Sequence, residues 1–144
     1  MLFPTPERRH TQRGSAMDES ALVILLFLTL LIGIGDMGQL LFNHQSIVER
    51  VRAGLRYGVV TYNVPAIQNV VLYGTPTPAE GQSPSFHLTA NMIQVSRYDA
   101  STAEDRVMIA VSNYPIEFFS PYIASHTTGK PIVGVQPMEL GNLR

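Results

Sequence analysis

The sequence contains no cysteine, so it has no disulfide framework, no thiolate nucleophile and no cysteine-based zinc site. Charge of one sign is also scarce outside the first residues. From Asn43 onward seven basic residues balance seven acidic ones, which excludes the basic face expected of a nucleic-acid binder. No internal repeat is present, and no G-x-S-x-G motif marks a hydrolase nucleophile. The most telling shortage is of charge altogether. Between Ser20 and Val48 the one formally charged residue is Asp36.

What fills that gap is an apolar run. Residues 21–42 read as a helix of roughly 33 Å at ~1.5 Å per residue, enough to cross a ~30 Å hydrocarbon core. The preceding residues 1–14 carry Arg8, Arg9 and Arg13 against Glu7. They read as a basic leader with its N-terminus on the cytoplasmic side by the positive-inside rule. Arg8-Arg9 is followed by His10-Thr11-Gln12, without the apolar positions of a twin-arginine export signal. A secretory signal removed together with its apolar core is disfavoured too, because Ile34-Gly35-Asp36 offers no small-x-small cleavage sequence.

Beyond Phe42 the helical pattern turns amphipathic. Ile47, Val48, Val51, Leu55 and Val59 recur at three- and four-residue steps, with Glu49, Arg52 and Arg56 elsewhere on the wheel. One helix is expected from about Met17 to about Tyr62, ended by Asn63-Val64-Pro65. The remainder reads as strands and turns. Val70-Val71-Leu72-Tyr73 is a β-rich run closed by Gly74, and residues 75–85 form a loop. Residues 92–98 and 106–113 alternate as a hairpin about a polar turn, and residues 131–136 supply a last strand. The expected fold is α+β: a long N-terminal α-helix, membrane-spanning in one half and amphipathic in the other. The amphipathic half packs on a small antiparallel β-sheet of about four strands. The chain divides into a leader (1–14), a span (15–42) and an extracytoplasmic domain (43–144).

Gly14, four further residues, Glu19 and then an apolar helix is the layout of a prepilin processing site. A protease that grips an extended peptide approaches the backbone closely, and glycine leaves that approach open. Cutting between Gly14 and Ser15 would free an amine on Ser15 and make Glu19 the fifth residue of the product. In a bundle of such helices a carboxylate in low dielectric requires a cation, which the amine of a neighbouring subunit supplies. Glu19 also suits an ordinary first helical turn through the helix dipole.

Arg13-Gly14-Ser15-Ala16 with Glu19 and Ala21 resembles the TadE-like family of tight-adherence pilus assembly proteins. So do Gly33-Ile34-Gly35-Asp36-Met37-Gly38-Gln39-Leu40-Leu41-Phe42 and Val51-Arg52-Ala53-Gly54-Leu55-Arg56-Tyr57-Gly58. Ser20 departs from related pilins, which often carry a large apolar residue there. The resemblance implies a non-enzymatic minor pilin or pseudopilin, anchored by one helix in the bacterial inner membrane with its C-terminal domain in the periplasm. The implied partners are a prepilin peptidase, other pilins and inner-membrane platform proteins, besides membrane lipid. The rival reading is an unprocessed single-span anchor displaying a small binding domain.

Three further patterns lead elsewhere. Residues 33–38 satisfy G-x-G-x-x-G, but a 12-residue apolar run precedes them and the next acid, Glu49, lies too near for dinucleotide binding. No cofactor is expected. The same residues spell Gly-x-Gly-Asp, found at an active-site aspartate of intramembrane proteases. Such a site needs two aspartates from separate spans, so Asp36 is read as an interfacial acid near the far headgroups. Gly54 and Gly58 form a G-x-x-x-G pair, which beside Arg52 and Arg56 points to close packing on the domain. His10, His44, His87 and His126 show no metal-ligand spacing. Tyr57, Tyr62, Tyr73, Phe118 and Phe119 are read as core or interface residues.

Overall fold

The computed structural model describes residues 12–100, 102, 104–116, 118 and 128–138. Helix α1 (Gln12–Val60) is followed by α2 (Val64–Tyr73), two short 3-10 turns, and strands β1 (Ile93–Tyr98), β2 (Arg106–Val111) and β3 (Ile132–Pro137). The strands form one antiparallel sheet in the order β1-β2-β3. The architecture is the expected α+β one, a long N-terminal helix on a small antiparallel sheet.

The hairpin pairs Ile93 with Val111, Val95 with Ile109 and Arg97 with Val107. β3 continues the same face with Ile132 opposite Val111 and Gly134 opposite Ile109. Alternation therefore sends Ile93, Val107, Ile109, Val111 and Ile132 inward, where all are buried, and leaves Gln94, Val133 and Val135 outside. The amphipathic stripe of α1 covers this inner face as the spacing implied. Ile47, Val51 and Leu55 are buried in the same cluster as the sheet residues, with Val48 packed against it.

The approach is close enough to require glycine. A Cβ built on Gly54 would lie 2.8 Å from Val71 Cγ2 and 3.1 Å from Ile109 Cδ1. On Gly134 it would lie 2.6 Å from Leu55 Cδ1. α1 thus meets α2 and β2 at Gly54 and β3 at Gly134, and side chains at either point would hold the elements apart. The G-x-x-x-G pair is spent inside the domain, since Gly58 faces Ile67 of α2.

Two expectations need correction. Residues 70–73, read as a strand, are the last turn of α2, and the sheet accordingly has three strands rather than about four. Asn63 starts α2 as its N-cap, accepting from the Ala66 amide at 3.3 Å, with Pro65 in the first turn and Gly74 closing the helix at φ 80. Ile67, Val70 and Val71 are buried on one face at helical spacing. Caps and packing override the β-branched composition of the run. The long helix also starts at Gln12 rather than about Met17 and ends at Val60. Pro65 lies in the first turn of the helix that follows instead of simply ending the one before.

The rim of the hairpin is fixed by charge. Asp105, 2% exposed, accepts from Arg97 Nε at 2.9 Å and from Arg97 Nη2. The Arg97 guanidinium also lies 5.3 Å from the centroid of the Tyr62 ring in the α1–α2 connection. The hydrogen bond to Asp105 holds Arg97 above its ordinary pKa, so the guanidinium stays charged.

Overpacking at the helix crossing is the direct test of this arrangement. Gly54→Leu is expected to cost about 1–3 kcal/mol and to lower the thermal unfolding midpoint of the full chain in detergent micelles. Gly33→Ala adds a methyl with nothing within 4 Å and should leave the midpoint in place. Equal midpoints for both variants would contradict the packing.

Candidate functional site

Among the described residues nothing covers the first half of α1. Every residue from Ala16 to Gly35 is exposed, including Leu22, Val23, Ile24, Leu25, Leu26 and Phe27 at 59–71%. An apolar surface of that extent greatly exceeds the few hundred Å2 that soluble monomers tolerate. The helix is long and apolar enough to cross a membrane, and 6% of its most apolar window is buried. It suits lipid in its polar atoms as well. Ser20 Oγ donates to the Ala16 carbonyl at 2.7 Å and Thr29 Oγ1 to the Leu25 carbonyl at 2.8 Å, so neither hydroxyl is unsatisfied in hydrocarbon. Ser20 thereby fits an apolar helix.

Gly14 and Ser15 lie in the first turn of α1, and Glu19 follows one turn later, exposed beside the apolar surface. Asp36 behaves differently from its neighbours. It is 3% exposed and is the one buried residue between Ala16 and Ser46. It lies roughly 22 Å along the helix from Ala21, and its side chain is withdrawn from the surface. Burial keeps an acid off the hydrocarbon as effectively as exposure to headgroups does.

Where α1 passes from exposed to covered, His44 and Tyr114 meet. The Tyr114 hydroxyl lies 2.9 Å from His44 Nδ1 across seventy residues of sequence. Tyr114 is 3% exposed, and burial pushes its phenol above the usual value near 10. It therefore stays protonated at neutral pH, within hydrogen-bond distance of His44 Nδ1. The Tyr114 carbonyl accepts from the Gly129 amide at 2.9 Å, and Pro115 bridges to Thr128. This clasp ties the chain after β2, and the segment leading into β3, to the upper turn of the apolar helix. Tyr114 was not singled out in the sequence, since it falls just beyond the alternating run 106–113 and in no motif.

The competing motifs acquire no chemistry. Residues 33–38 lie inside one continuous helix, without the strand and turn that a dinucleotide cradle requires. No group of three metal-ligating side chains occurs among the described residues. His87 stands in a 3-10 turn at φ 53, while His10 and His126 lie outside the described residues. Tyr57, Tyr62 and Tyr73 pack against the core as expected, and Phe119 lies outside the described residues.

The clasp predicts a pH signature. A raised tyrosine pKa contributes stability that is complete below about pH 10 and is lost as pH rises through the shifted value. Tyr114→Phe should cost about 0.5–1.5 kcal/mol at neutral pH through the lost hydrogen bond and should reduce the alkaline loss. Unfolding measured from neutral pH to pH 12 checks both. An unchanged alkaline limb would contradict the assignment.

Residues 14–56 match the family model described as TadE-like protein. This is the family that the sequence resembles, and it is a family of pilus components rather than of enzymes. The match starts at Gly14, takes in the whole exposed apolar stretch and ends within the amphipathic turns that cover the sheet. No curated protein and no solved structure matches the chain.

Proposed function

We propose that the chain is a minor pilin or pseudopilin of a tight-adherence pilus system. In this reading prepilin peptidase cuts between Gly14 and Ser15, and α1 then holds the protein in the bacterial inner membrane. The domain from Asn43 onward faces the periplasm. The observation that carries the reading is the coincidence of three boundaries. The family match begins at Gly14, Glu19 stands exposed one turn later, and an unburied apolar helix follows directly.

The helical backbone at Gly14 sets a condition on processing. A peptidase binds its substrate extended, so the first turn of α1 must unwind. That turn is the weakest part of any helix, because its first four amides have no partner within the helix. Glycine lowers its helical preference by a further ~1 kcal/mol relative to alanine. After the cut, Glu19 sits at the edge of the span, where the Ser15 amine of an adjacent subunit can neutralise it and set the axial register of one helix against the next. Other pilins and inner-membrane platform proteins are the partners this chemistry serves.

Mass spectrometry of the mature N-terminus tests the cut. A free Ser15 is expected, whereas an intact leader would favour the rival, a single-span anchor that is never processed. Gly14→Leu should block cleavage and leave a band heavier by about 1.5 kDa, a fourteen-residue share of the 15.9 kDa chain; wild-type migration would mean the site is misplaced. Glu19→Ala should be cleaved normally yet lose co-purification with pilus partners. Undiminished co-purification would remove the registry role.

A further inference from the structure

The junction between the exposed and covered halves of α1 contains a cavity of about 410 Å3, within the ~300–1,000 Å3 range of ligand sites. Its wall is mostly apolar, from Leu40, Leu41 and Ile116, while His44, Tyr114 and Lys130 bring polar groups to it. Its described lining residues include no carboxylate, and Lys130 is exposed.

The position of the cavity identifies its surroundings. Leu40 lies nineteen residues beyond Ala21, or roughly 29 Å along the helix, and the hydrocarbon core is ~30 Å thick. The cavity therefore stands at the level where acyl chains give way to headgroups, on the side that carries the folded domain. Its apolar wall continues the exposed surface of the span, so an acyl chain can enter laterally without crossing water. Among its described lining residues the one formal charge, Lys130, is positive at the depth of lipid phosphates.

We propose that this cavity is a binding site for an anionic phospholipid. The upper part of one acyl chain lies against Leu40, Leu41 and Ile116, and the phosphate is held by Lys130. Tyr114, whose hydroxyl is committed to His44 Nδ1, forms part of the wall and keeps the cavity open. A bound lipid would join the domain to the bilayer at a second point besides the helix, limiting rotation of the domain about the axis of α1. The proposal rests on α1 lying in a bilayer, as the reading above requires.

The test uses the full chain in phosphatidylcholine nanodiscs containing a photoactivatable phosphatidylglycerol, with adducts mapped by peptide mass spectrometry. Adducts are expected on residues 22–34, which report the span, and on Tyr114, Ile116 and residues 128–130, which report the cavity. Ile116→Trp fills the cavity and should remove the second set while keeping the first. Lys130→Glu, on an exposed side chain, should lower labelling of the cavity set by about fivefold or more while a phosphatidylcholine probe is unaffected. Adducts on residues 22–34 alone would overturn the lipid site and leave the anchor standing. Absence of both sets would overturn the anchor as well. Equal labelling by the two probes, insensitive to Lys130→Glu, would overturn the anionic preference. Chain-to-chain crosslinks in place of lipid adducts would assign the cavity to a second copy and overturn the proposal.

Discussion

One unbroken helix is apolar on all sides in one half and on one side in the other, and the rest of the molecule follows from that constraint. α1 is 49 residues long, or roughly 74 Å. Its first half presents apolar side chains in every direction, as a helix in lipid must. Its second half confines them to the stripe of Ile47, Val51 and Leu55, as a helix on a folded domain must. No glycine–proline break separates the halves, so the backbone carries force directly from one environment to the other. A flexible linker would have uncoupled the domain from the anchor; a continuous helix fixes their distance.

The domain is built around the helix rather than attached to it. A three-stranded sheet with one wet face cannot stand alone, and its dry face is covered by α1 together with α2. The glycines at the crossings set how close this cover comes. At Gly54 a single position of α1 touches both α2 and β2, and at Gly134 β3 is small where the helix passes over it. The ion pair of Arg97 with Asp105 and the stacking of Arg97 on Tyr62 join the hairpin to the α1–α2 connection. The clasp of His44 and Tyr114 does the same at the membrane end. Each polar link sits at a rim of the core, where it is hydrogen-bonded rather than stranded.

Features set by local pattern were legible in the sequence, and features set by long-range contact were not. The apolar run, the three- and four-residue stripe and the alternating hairpin are periodicities, and all three reappear in the structure. Val70-Val71-Leu72-Tyr73 misled because β-branched residues suit strands, while the signals that decide for a helix lay just outside the run, in Asn63, Pro65 and Gly74. The sequence gives the depth of Asp36 along the helix but not that its side chain is buried there. Asp105 read as one more polar turn residue, and its burial depends on Arg97 eight residues earlier. Tyr114 could be paired with His44 only by a fold that brings residues seventy apart together.

The span of the family match has a physical counterpart. Residues 14–56 coincide with the part of the chain under the most simultaneous demands. An apolar surface left unburied over one half and the cover of a sheet over the other must both come from one helical sequence. The strands face a looser requirement, since many combinations of β-branched residues can cover a stripe of isoleucine, valine and leucine. A recognisable anchor joined to an individual domain is the expected outcome when assembly operates through the helix and the sheet serves chiefly to cover it. On that view the exposed face of Gln94, Val133 and Val135 is where a protein of this build can vary its contacts without disturbing the rod that holds it.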